Sequence, residues 1–315
     1  MEKKDFYSQE TICQQRFNYS GTCFHVYSKE DHPLIFHSKE EFEVAMNIVA
    51  FSAFLFLQIR IFTFEILNNH FHFAVSGQKN DIDSFIKTFV AKLSTHPALY
   101  VSWNDIRTLS FKSIEIDTLD NLRNVISYDN RNGAVISPDE NVFTYRWGAN
   151  RYFFNREAKQ RYEECARKAT CREKRKMFCS AQHDTVDAIM LLDGYISPLC
   201  YCHIDEAESF FRNSRHYFHS VSRNIESSRY IAKSIGESLF YTDDDLFSYI
   251  RMVCSQKFGG QTTSSLPSEA KINLAKELHF DYNASNKQIC RLLKMDMNVV
   301  NTLFPGNAIN TVSRP

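Results

Sequence analysis

The sequence predicts an α+β fold, an antiparallel sheet sandwiched with helices, and three observations carry that reading. Residues 59–66 and 69–75 alternate with period two and are separated only by Leu67-Asn68, which marks a β-hairpin. Apolar residues at helical spacing flank the hairpin on both sides, in 39–57 and in 82–93. The chain has 315 residues, 43% of them hydrophobic, enough for one large or two modest cores.

Taken in order, residues 23–27 (Cys-Phe-His-Val-Tyr) form a short aromatic and β-branched run that reads as a strand. The helix over 39–57 follows, with Phe42, Ala45, Met46 and Val49 on its apolar face. After the hairpin and the helix over 82–93, residues 111–116 read as another strand. Residues 119–128 then read as a helix that Asp117 or Thr118 can cap.

Beyond Arg151-Tyr152-Phe153-Phe154 the pattern turns to a long, charged helical region through about Ser180, which places a boundary near Asn155. Residues 206–231 are again helical in spacing, and 257–268 have the composition of a linker. Three short helices follow, over 268–278, 285–293 and 296–303, the middle one opened by a Ser285…Gln288 capping box; their tight spacing suits a helix-turn-helix. The expected division is therefore 1–155, a helical basic extension over 156–260, and a helix-turn-helix-like unit over 261–315.

Charge is balanced, 37 Lys plus Arg against 37 Asp plus Glu, so no global field announces a polyanionic partner. One local excess of positive charge lies between Arg156 and Lys176, where Arg172, Lys174, Arg175 and Lys176 cluster. No apolar run is long and clean enough to span a bilayer, so no membrane partner is expected. Nine cysteines, an odd number without a regular framework, fit a reduced, cytoplasmic setting. Cys200, Cys202 and His203 could supply zinc ligands, but no second pair follows at finger or ribbon spacing.

The chemistry-bearing residues lie in the first half. His70 and His72 stand two apart on a strand, so both imidazoles project to one face and can chelate one cation, while Phe71 points to the other. Tyr128 and Asn132 stand one helical turn apart on a shared helix face. Each has a plainer role open to it: Tyr128 as a half-buried aromatic anchor, and Asn132 as a helix stop before Gly133.

In this order the motifs resemble the single-tyrosine HUH transposases of the insertion-sequence-200 type, in particular the group associated with repetitive extragenic palindromes. Family members read like M-P-N-H-x-H at the histidine strand and Y-I-x-x-N-P at the nucleophile helix. Here the strings are Leu-Asn-Asn-His-Phe-His over 67–72 and Tyr-Asp-Asn-Arg-Asn-Gly over 128–133. The likeness takes in Phe-His-Val-Tyr-Ser-Lys over 24–29 and Tyr145-Arg146-Trp147, covering most of residues 20–155, and the tail over 268–304 resembles the helical tails of longer relatives. Asn68 and Gly133 replace prolines and Asp129 replaces an aliphatic residue, departures that touch loop rigidity and helix packing rather than the reacting groups.

The resemblance implies a ferredoxin/RRM-like HUH endonuclease domain that nicks and rejoins single-stranded or hairpin DNA through a 5′-phosphotyrosine on Tyr128. It implies Mg²⁺ or Mn²⁺ held by His70, His72 and Asn132. Arg131, Trp147, Arg172, Lys174, Arg175 and Lys176 are the expected DNA contacts of the first part, and Lys287, Arg291 and Asn298 those of the tail. Two other readings stay open on sequence alone: a domesticated, non-cutting DNA-binding regulator, and an RRM-like RNA-binding sheet, which would have no use for the histidine pair. A monomer and a homodimer sharing active sites are both compatible with it.

Overall fold

Four strands, β1 (Cys23–Ser28), β2 (Arg60–Ile66), β3 (Phe71–Ser76) and β4 (Phe111–Ile116), form one antiparallel sheet in the order β2-β3-β1-β4. The computed structural model describes residues 3–28, 33–136, 142–179, 189–222, 243–259, 262–282 and 284–305. Helix α1 (Lys3–Tyr19) precedes the sheet, α2 (Lys39–Leu55) joins β1 to β2, and α3 (Lys79–Leu93) with the short α4 (Trp103–Thr108) joins β3 to β4. Helix α5 (Leu119–Ile136) follows β4.

Strand alternation gives the sheet two chemically different faces. Residues paired across antiparallel strands share a face, so Glu65, His72 and Tyr27, which lie in one register row, point the same way. Phe24, Phe64, Phe71 and Phe73 point the other way, where Phe71 and Phe73 meet the rings of Phe89 and Phe85 on α3. Each fully buried phenyl ring contributes on the order of 2 kcal/mol, which fastens α3 to this face. A capping box between Ser38 and Glu41 starts α2 at the position its spacing predicts.

Helix α5 covers the polar face. Thr118 Oγ1 caps it by accepting from Asn121 N at 3.2 Å. Its outer side is itself covered: Asn130 accepts from Thr63 on β2 and donates to the Tyr217 hydroxyl on α9 (Ser214–Val221), and Arg123 pairs with Glu10 of α1 at 2.6 Å. The helix therefore lies in the interior, buried continuously from Val125 to Asn130. The outer edge of β2 is occupied too. Ile66 N donates to Trp147 O, Ala149 N to Phe64 O, and His203 N to Ile61 O.

The remainder of the first unit comprises α6 (Arg156–Cys165), α7 (Cys171–Phe178), α8 (Ile204–Ser209), α9, and a small antiparallel sheet of β5 (Arg167–Lys168), β6 (Met190–Leu192) and β7 (Tyr195–Ile196). Contacts divide the chain into Met1–Ser222 and Arg223–Pro315. The second unit has four described helices, α10 (Asp243–Lys257), α11 (Ser268–Tyr282), α12 (Asn286–Leu293) and α13 (Met297–Leu303), with the Ser285–Gln288 capping box in place at the start of α12. No helix among the described residues is long and apolar enough to cross a membrane.

Several expectations change. The aromatic run 151–154 is a core connection rather than a boundary: Phe153 and Phe154 pack on Tyr217, and Asn155 caps α6 by accepting from Ala158 N. Residues 156–222 consequently belong with the first unit, while α10 falls in the second, so the division lies at Ser222 and not at 155 or 260. The charged stretch is not one helix, because β5 interrupts it to pair with β6. Helix α5 runs on to Ile136. Helix α1 carried no readable amphipathic signal in the sequence. The expected helix over 206–231 is two short ones as far as Ser222, and 223–231 lie outside the described residues, as does Lys29.

Candidate metal centre

The polar face of the sheet meets α5 at three side chains with metal-ligating groups. His25 of β1, His72 of β3 and Asp129 of α5 place one donor atom each within 4.8 Å of one another. Among the described residues they are the only group of three or more His, Cys, Asp or Glu side chains so arranged. His25 Nε2 donates to Asp129 Oδ1 at 3.0 Å, and His72 Nδ1 lies 3.8 Å from the same oxygen. The two imidazoles stack at 5.7 Å between centroids, 10° from parallel. All three side chains are at most 1% exposed.

The register of the sheet produces this meeting. Period two puts His25 on the same face as Tyr27, and the β1–β3 register sets Tyr27 opposite His72 and His25 opposite Ala74, so the two histidines lie on a diagonal of adjacent strands. The small Ala74 leaves room between them for a side chain from α5. Asp129 fills it.

The chemistry of the donor set suits a divalent cation. Two imidazoles and a carboxylate form a recurrent ligand set for such ions. Asp129 Oδ2 is a buried carboxylate oxygen with no hydrogen-bond partner among the described residues, which is costly unless a cation or water completes it. The residues fit.

Tyr128 neighbours the group. Its ring stands edge-on to His72 at 5.7 Å and to His25 at 6.5 Å, and the residue is 6% exposed. Of the three expected ligands, His72 is inside the group. His70 lies beside it, its ring edge-on to His72 at 5.0 Å and its Nδ1 donating to Asn69 Oδ1 at 2.7 Å. Asn132 lies one turn beyond Tyr128, half-buried, with its amide nitrogen buried and lacking a hydrogen-bond partner among the described residues. Sequence reasoning passed over His25 and Asp129. His25 was on the page inside the 24–29 string, and Asp129 stood next to the nucleophile position as a departure assigned to packing.

Around the group, a second departure acquires a reason. Gly133 N donates to Glu65 Oε2 at 2.5 Å, and a Cβ at Gly133 would lie 2.1 Å from the Tyr145 ring. Proline there would lose the donor and strike the ring. Tyr145 in turn donates from its hydroxyl to Ile66 O at 2.7 Å.

The expected DNA contacts are dispersed. Trp147 is stacked on Phe42 at 4.9 Å and lies 5.9 Å from Tyr195, a packed and half-buried position. Arg131 is half-buried on α5. On α7, Arg172, Arg175 and Lys176 are exposed but Lys174 is buried, so the four do not form one open basic face. Lys287, Arg291 and Asn298 are exposed in the second unit. Burial pushes the thiols of Cys200 and Cys202 up, Cys202 the further of the two. Comparison of the chain with protein-family models, with curated proteins and with solved structures finds no match in any of the three.

Proposed function

We propose that this chain is a metal-dependent nuclease of the transposase type that nicks and rejoins single-stranded or hairpin DNA, with Tyr128 as nucleophile. One observation carries the reading: a tyrosine ring stands edge-on to two stacked histidines that share a carboxylate, so a candidate nucleophile and a cation-capable group are adjacent. The β-α-β-β-α-β succession with strand order β2-β3-β1-β4 supports a ferredoxin/RRM-like HUH domain, and α5 on the histidine-bearing face is where a nucleophile helix belongs. The capped helices α11 to α13 support a helix-turn-helix-like tail, with Lys287 and Arg291 on phosphates and Asn298 at base edges.

In the chemistry proposed, the Tyr128 oxygen attacks phosphorus in line with the 3′ oxygen. The Tyr–O–P bond forms, the P–O3′ bond breaks, and the tyrosine proton ends on the released 3′ hydroxyl. The phosphodiester energy stays in the phosphotyrosine, so attack by another 3′ hydroxyl rejoins DNA without a nucleotide cofactor. A bound Mg²⁺ or Mn²⁺ would withdraw charge from the phosphate oxygens as a Lewis acid. His72 is the residue about which such an ion would be held. The side chains of this group are closed to solvent, so turnover requires α5 or its surroundings to open a path.

That closure favours a second reading, a non-cutting DNA-binding protein in which the same group is structural. Incubation with hairpin-bearing single-stranded DNA and Mn²⁺, followed by denaturing gels, separates the two. A metal-dependent covalent adduct that disappears in Tyr128→Phe supports the nuclease. Its absence across such DNA pools leaves the binding protein.

A further inference from the structure

We infer that the ion this chain binds is a first-row transition metal, of the Mn²⁺, Fe²⁺, Co²⁺ or Zn²⁺ class, and that its ligands are His25, His72 and Asp129. This differs from the resemblance in two of three ligands and in setting Mg²⁺ aside. It deepens the proposed function and rests on that reading only for what the ion does there; binding itself does not depend on it.

Geometry argues for this set. Ligands about 2.1 Å from one ion stand about 3.0 Å apart on an octahedral edge and about 3.4 Å apart in a tetrahedron. His25 Nε2 and Asp129 Oδ1 are already 3.0 Å apart, and His72 Nδ1 is 3.8 Å from that oxygen. All three donor atoms lie within 4.8 Å of one another, so side-chain adjustments on the order of 1–2 Å bring the set to such spacings. An ion entering between them would replace the Nε2 proton that His25 donates to Asp129, the ring then carrying its proton on Nδ1. Asp129 Oδ2, buried and without a hydrogen-bond partner among the described residues, is available for bidentate ligation or for a bound water.

Ligand chemistry selects the ion. Mg²⁺ prefers oxygen donors and retains its waters, whereas two nitrogens and one carboxylate suit borderline ions. A fully buried pocket penalises a heavily hydrated ion further, since its waters must be stripped or accommodated. The carboxylate supplies the one negative charge that an amide at position 132 could not, which matters where no water screens the cation.

The test uses the full chain, freed of metal by chelator dialysis. Calorimetric titration with Zn²⁺, Mn²⁺ and Mg²⁺, with elemental analysis of the loaded protein, should give one equivalent of Zn²⁺ or Mn²⁺ bound at least tenfold more tightly than Mg²⁺. His25→Gln and Asp129→Asn should each weaken it by roughly a hundredfold, whereas His70→Gln and Asn132→Ala should change it less than threefold. Circular dichroism shows whether each variant is folded. Should His25→Gln or Asp129→Asn fail to fold, anomalous diffraction from Mn²⁺-loaded wild-type crystals locates the ion without substitution. Density at His70 and Asn132 rather than at His25 and Asp129, a preference for Mg²⁺, or no binding at all overturns the inference. Binding as stated without a DNA adduct would leave the site standing and remove the nuclease; an adduct with binding unaffected by His25→Gln and Asp129→Asn would do the reverse.

Discussion

Asp129 Oδ1 accepts a 3.0 Å hydrogen bond from His25 Nε2 between a helix and the strand beneath it, with both side chains closed to water. A pair so buried is costly to break from one side. Asp129→Ala should destabilise the metal-free chain by about 3 kcal/mol, because His25 is left with a buried and unmet donor. Asp129→Asn, which keeps the shape and an acceptor oxygen, should cost roughly half as much. Urea unfolding followed by tyrosine fluorescence measures both; an Asp129→Ala loss below about 0.5 kcal/mol would show that the pair does not hold α5 down.

Tyr128→Phe should abolish the covalent DNA adduct while shifting the melting temperature by only a few degrees, since the ring contacts with His25 and His72 are kept. Gel retardation with the same oligonucleotides should show binding retained. Wild-type adduct yield in this variant would remove Tyr128 as the nucleophile.

At Gly133 the expected effect is steric. Gly133→Ala should destabilise by about 1–3 kcal/mol through collision with the Tyr145 ring. Tyr145→Ala in the same chain should make the added methyl group nearly neutral, and a double-mutant cycle on thermal unfolding reads that coupling. Gly133→Pro should be worse than Gly133→Ala, because Glu65 also loses the amide that donates to it.

Acid should weaken the chain before its carboxylates titrate. Burial, with Lys92 adding to it, holds the His96 imidazolium below the usual histidine range. Below about pH 6.5 the unfolded chain therefore takes up a proton that the native one declines, and stability falls as pH drops through that window. His96→Gln should flatten the slope between pH 7 and pH 5 in a series of denaturant titrations.

Residues 1–222 should fold alone, with a cooperative thermal transition, because they form one of the two compact units. Residues 1–155 should not. That shorter piece keeps every expected catalytic and metal residue but lacks Tyr217, whose hydroxyl accepts from the buried Asn130, and lacks the aromatic packing on Phe153. Circular dichroism and limited proteolysis of the two fragments check this.

The legible part of the fold was local. Strand alternation located β1 to β4 within a residue or two, and the Ser285 capping box placed α12, because both signals are written in neighbouring residues. What escaped was nonlocal. The hairpin joins β2 to β3, but nothing in the chain states that β1 inserts beside β3, and that insertion alone brings His25 to His72. Asp129 escaped for a related reason: helix geometry assigned a face to Tyr128 and Asn132, yet α5 is enclosed between the sheet and α9, so a residue about 100° around the helix from Tyr128 also finds a buried partner. Among the described side chains of α1, the contact with the core rests on Cys13 and on the Glu10–Arg123 ion pair, which leave no periodic signal in the sequence.

The occupied edge of β2 bears on how this sheet is kept from pairing with further chains. Open strand edges are templates on which further chains stack, and a four-stranded sheet ordinarily has two of them. Here the backbone of 147–149 and 202–203 already fills one. The other is β4, whose exposed side chains are Lys112 and Glu115, so an incoming strand must desolvate charges of both signs along it. Loss of the first guard, by proteolysis or by truncation before residue 202, would bare the Ile61 end of a strand buried from Ile61 to Ile66, and filament formation rather than simple unfolding would be the expected fate of the fragment.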